Sequence, residues 1–133
     1  MSNLINLLDT YKGEKRELYP LTPSQMGVYL SCMHNPKGTM YNIPCTYVFD
    51  SGSLDTDRLI NAVRKTVDNH PVMKIFIDNS TGSPMMKLRD SVEFDIPVVQ
   101  VDNLEQAGKD FVKPFELEKD VLFRFAIFEC GDK

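Results

Sequence analysis

Two histidines and three cysteines are the residues of this 133-residue chain with most to offer a reaction. His70 follows Asp68-Asn69 and precedes Pro71. Histidine titrates near neutrality and can serve as a general base. At the end of a helix it serves equally well by packing or by bonding the last free carbonyls, and that is the role expected for His70. His34, beside Asn35-Pro36, falls in a turn, where a structural role suffices. Cys32, Cys45 and Cys130 lie far apart, with no Cys-x-x-Cys and no base close in sequence. Free thiols of a reducing compartment are therefore expected, not a disulfide framework or an activated nucleophile. The histidines stand at no ligand spacing from these thiols, which argues against zinc. There is no Gly-x-Ser-x-Gly, Walker loop or Gly-x-Gly-x-x-Gly, and Ser24 belongs to a helix start. No catalytic, cofactor-binding or metal-binding residue is expected in this stretch.

Composition narrows the partners. The chain is 42% apolar and 26% charged with a net charge of −4, ordinary values for a globular protein. Lysine and arginine are scattered among acidic residues, so no stripe exists to track a phosphate backbone, and nucleic acid is not an expected partner. No run approaches the roughly 20 apolar residues that cross a bilayer. Met1–Asp9 lacks a cationic start and Asn6 interrupts its short apolar run, so a secretory leader is not expected and the cytoplasm is. The seven methionines suggest an adaptable surface, but Met26, Met33 and Met73 fall at core-facing positions.

The elements that would position any site follow from caps and periodicity. Residues 1–18 are expected to be an exposed lead-in, and 19–133 the folded part. Thr22-Pro23-Ser24-Gln25 predicts a helix start with a capping box and proline in the first turn. Met26, Tyr29, Leu30 and Met33 then mark one buried face, and Asn35-Pro36-Lys37-Gly38 ends it. Ile43 to Phe49 alternates like a strand. Asp55 to Asn69 predicts a second helix with Leu59, Ala62, Val63 and Val67 inward. Val72–Ile77 and Met85–Arg89 read as the arms of a hairpin around a turn-rich loop. A strand is expected near Phe94–Val101, and a helix from Asn103, with a second capping box at Gln106, to Pro114. Val121–Glu129 is the strongest strand, apolar on both faces and so expected to be central. An isolated piece carrying it should associate or expose apolar surface. The order helix, strand, helix, hairpin, strand, helix, strand predicts an α/β two-layer sandwich, with helices on a mixed sheet.

Three segments carry a resemblance. Tyr19-Pro20-Leu21-Thr22-Pro23-Ser24-Gln25, continuing into the apolar helix with Tyr29, resembles the first motif of the condensation domains of nonribosomal peptide synthetases. Gly27 stands where many members carry arginine. Asn69-His70-Pro71-Val72-Met73-Lys74 is similar to the second motif, usually Arg-His-Glu-x-Leu-Arg-Thr, with only His70 identical. Pro114-Phe115-Glu116-Leu117 with Leu122-Phe123-Arg124 resembles the Pro-Phe-Asp-Leu…Pro-Leu-x-Arg segment, Val121 replacing the proline. These come in the family's order and cover Tyr19 to Phe128.

The resemblance implies the N-terminal half of a chloramphenicol-acetyltransferase-like fold. It implies a parent enzyme that joins a carrier-bound acyl or peptidyl thioester to a carrier-bound amino acid as an amide. The family's His-His-x-x-x-Asp-Gly signature does not occur in this sequence, so the chain is expected to stop before it and to be inactive alone. Leu21, Thr22, Gln25, Tyr29, His70, Pro114, Phe115, Leu117 and Arg124 match family motifs and are expected to hold the fold, and Arg124 to pair with a carboxylate near the missing active site. No cofactor is expected on this fragment. Phosphopantetheine would arrive on upstream and downstream carrier domains. The other expected partners are the rest of the condensation domain and an adenylation domain. The alternatives are an epimerisation or heterocyclisation domain, a stand-alone acyltransferase of the same fold, or a non-catalytic carrier-docking module.

Overall fold

The computed structural model describes residues 18–50 and 52–131. Nearly all of the expected lead-in, residues 1–17, lies outside the described residues; its last residue, Leu18, opens the first strand.

Three helices begin where side chains satisfy the orphan backbone donors of the first turn. Helix α1, Pro23–His34, is capped by Thr22, whose Oγ1 accepts from Gln25 N while Gln25 Oε1 accepts from Thr22 N at 2.8 Å. Helix α2, Thr56–Asn69, is capped by Asp55, which accepts from Arg58 N at 2.9 Å. Helix α3, Leu104–Phe111, is capped by Asn103. There the expected reciprocal bond is absent, and the Gln106 side-chain amide donates forward to Asp110 at 2.9 Å.

The strands are short and of both senses. Strands β1 (Leu18–Pro20), β2 (Ile75–Asp78) and β3 (Met85–Leu88) form an antiparallel sheet in the order β1-β3-β2. Tyr19 and Ile77 both lie opposite Met86, one on each side. The β2–β3 hairpin turns through Gly82, whose φ of +80° lies in the left-handed region. Strands β4 (Val98–Gln100) and β5 (Ile127–Glu129) pair in parallel. Helix α3 lies between them in the chain, as a parallel pair requires a crossover.

Three expected strands are shorter than their apolar patterns, for one reason: a strand exists only where a ladder partner lies beside it. Ile43–Phe49 forms no strand, since none of the described strands runs along it. Only Ile127–Glu129 of the 121–129 segment and Val98–Gln100 of the 94–101 segment are laddered, each three residues long because its partner is. The segment expected to be central is therefore half-buried, with Leu122 exposed. Residues 71–74 wind into a 3-10 turn, because Pro71 fixes its φ near the helical value and Met73 N bonds His70 O at 3.0 Å.

The core is small and lies under α1, α2 and the hairpin. Tyr29, Val67, Ile77 and Ile96 are its buried residues. Phe94, Phe123 and Phe125 pack beside it with ring centroids 5.0–6.1 Å apart. On α1 the covered line is Met26, Tyr29 and Cys32; Leu30 and Met33 face outward, contrary to the periodicity. On α2 Ile60 takes the inner place expected for Ala62, which is exposed.

Candidate functional site

The turn at residues 113–120 is where separate parts of the chain meet. Its own shape comes from local bonds: Glu116 N donates to Asp120 Oδ2 at 2.7 Å, and Asp120 N to Glu116 O at 2.8 Å. Helix α1 reaches it through Tyr29, whose hydroxyl donates to Glu118 Oε1 at 2.7 Å. The hairpin reaches it three times. Ile77 N donates to Leu117 O at 3.3 Å, Asn79 Nδ2 to Glu118 Oε1 at 3.4 Å, and Arg89 Nη2 to Lys119 O at 3.3 Å. Asn79 leaves its Oδ1 buried without a partner.

Arg124 closes the turn from the other side. Its Nη1 and Nη2 donate to the carbonyls of Lys113 and Pro114, each at 2.6 Å. Its guanidinium lies 3.9 Å from the centroid of the Phe115 ring, and Asp120 Oδ2 is 3.9 Å away. The planar fork of arginine suits this arrangement, since two parallel N–H groups meet two successive carbonyls. Among the described residues the carboxylate beside Arg124 is Asp120, of the same turn, and not one beside the expected active-site segment.

Tyr29, Pro114, Phe115, Leu117 and Arg124 sit at this junction, while Thr22 and Gln25 stand at the start of the helix that carries Tyr29 to it. Gln25 caps α1 and also donates to Met86 Sδ, at 3.5 Å, which seats the helix start on β3. Leu21, half-buried, links β1 to that start. His70 is not brought there. It caps α2, and its Nδ1 lies 2.6 Å from Thr66 O, the preceding turn's carbonyl. Glu118 and Asn79 were not singled out from sequence. Glu118 stands in Glu116-Leu117-Glu118-Lys119-Asp120, which has the composition of a solvated charged turn, and nothing local signals a partner 89 residues away.

Electrostatically the junction acts on Tyr29. Burial is the main cause that pushes its phenol above the usual tyrosine value, and the hydrogen bond to Glu118 and that carboxylate's charge add to it. The chemistry available is that of anchoring. Among the described residues no three histidine, cysteine or acidic side chains gather as metal ligands would. Cys32, Cys45 and Cys130 are free thiols. A hollow of about 330 Å³ is lined by Phe94, Phe111, Phe123, Phe125 and Arg124, together with Glu93 and Asp95. Phe94 already carries a cation, the Arg64 guanidinium, 5.3 Å from its centroid.

Helices capped onto short strands, with a motif-built turn joining them, form a mixed α/β unit, and its structural neighbours are condensation domains, which have the chloramphenicol-acetyltransferase-like fold. The backbone superposes on the starter condensation domain of rhizomide synthetase with a TM-score of 0.72, over 86% of this chain and 29% of that one, at 19% identity. It matches a four-domain nonribosomal peptide synthetase bound to AMP and glycine with a TM-score of 0.77, over 89% of this chain and 9% of that one, at 16% identity. Residues 15–133 match the condensation-domain family, and the chain belongs to it. Bacitracin synthase 3 of Bacillus licheniformis is 30% identical over 124 residues, 92% of this chain and 2% of that protein. Bacitracin synthase 2 of the same organism is 31% identical over 118 residues, 87% of this chain and 4% of that protein. The chain thus spans under a third of the solved condensation domain and a few per cent of the synthases it matches. No described helix is long and apolar enough to cross a membrane.

Proposed function

We propose that the chain is the N-terminal portion of a condensation domain whose complete form makes amide bonds in a peptide synthetase. One observation carries this reading: the family match runs over residues 15–133, and two of the three sequence motifs behind it meet at one structural junction. In the proposed reaction the amine of a carrier-bound amino acid attacks the thioester carbonyl of a carrier-bound acyl or peptidyl group. A C–N bond forms, the C–S bond breaks, and the amine's proton leaves as the thiol is released. Holding two tethered reactants in register supplies up to about 11 kcal/mol of such a barrier.

The residues of this chain contribute the frame. Tyr29, Glu118 and Arg124 hold the turn at 113–120 against α1 and the hairpin, and none of them is poised as nucleophile or base. The sequence holds no His-His pair, so the fragment alone is inactive in this proposal. Phosphopantetheine enters as part of the substrate on upstream and downstream carrier domains. An adenylation domain would load the amino acid, and the assembly would work in the cytoplasm.

The coding sequence beyond Lys133 tests the assignment. A His-His-x-x-x-Asp-Gly segment followed by adenylation and carrier domains supports it. An Asp-rich signature in that place assigns heterocyclisation instead, and carrier binding without acyl transfer by the longer protein assigns a docking module. Arg124→Ala in the complete domain tests the frame role: wild-type turnover with unchanged stability rules it out.

A further inference from the structure

We draw no further inference here: the strongest candidate, the aromatic hollow lined by Phe94, Phe111, Phe123 and Phe125 beside the 121–125 segment, lies in a chain that spans 29% of the solved condensation domain it matches, and nothing in the structure shows what covers it.

Discussion

Tyr29 donates its hydroxyl hydrogen to Glu118 across 89 residues of sequence, at 2.7 Å. The ring is buried and the hydroxyl emerges where the carboxylate sits in the 113–120 turn. Tyr29→Phe keeps the ring and removes the donor. It should cost about 1.5 kcal/mol, the lower range for a hydrogen bond to a charged group. Chemical denaturation of the two proteins measures it.

The same pair sets a pH response. The folded phenol of Tyr29 titrates above its ordinary value of 10.0. The unfolded chain therefore releases that proton first, and the stability tied to it is present below pH 10 and lost as pH rises through the folded value. Glu118→Gln should lower the folded value without restoring 10.0, because burial is the larger cause. Absorbance titration of the phenolate, compared between wild type and Tyr29→Phe, isolates this group.

Arg124 is held by two carbonyls and a ring. Arg124→Ala should destabilise by about 2–3 kcal/mol, from charge-assisted hydrogen bonds and a cation–π contact. Arg124→Lys should recover less than half of that, since an ammonium cannot meet both carbonyls in one plane. Thermal unfolding of the three proteins decides it.

Val67 is wholly buried on the inner face of α2. Val67→Ala should cost about 2 kcal/mol through lost apolar burial and the residual cavity. Ala62→Ser, on the exposed face of the same helix, should change stability by less than about 0.5 kcal/mol.

Gly82→Ala places a Cβ on a backbone with φ of +80°. Nothing crowds that Cβ, so the cost is conformational alone, about 1–2 kcal/mol. The β2–β3 register should survive, as amide chemical shifts at Ile77 and Met86 would show.

Legibility in the sequence followed locality. The caps of α1, α2 and α3 lie within three residues of the donors they satisfy, so Thr22, Asp55 and Asn103 mark helix starts on sight. The hairpin was legible for the same reason, since 79–84 is dense in turn formers. Strand extent was not, because it is set by the partner: the alternation of 43–49 is as regular as that of 127–129, yet only the second has a neighbour. The buried face of α1 was half legible. Periodicity names Leu30 and Met33 alongside Tyr29, but what covers a helix is a tertiary matter, and here the cover reaches only one side. At the junction Tyr29 and Arg124 stood out through the family's motifs. Glu118 did not, as an acidic residue in a charged run gives no sign of a distant phenol.

Three arginines share one habit. Arg64 lies over Phe94 and bonds its carbonyl, Arg89 lies over Phe76 and bonds that of Lys119, and Arg124 lies over Phe115 and bonds those of Lys113 and Pro114. Their principal partners are neutral dipoles and ring faces, not carboxylates. Dissolved ions screen attraction between exposed opposite charges over about 10 Å at 0.1 M, which weakens contacts such as Lys109 with Glu105 or Lys119 with Glu116. A guanidinium pressed on a ring and hydrogen-bonded to a carbonyl loses far less. The seams of this molecule are therefore built to hold at high ionic strength, while its surface pairs come apart.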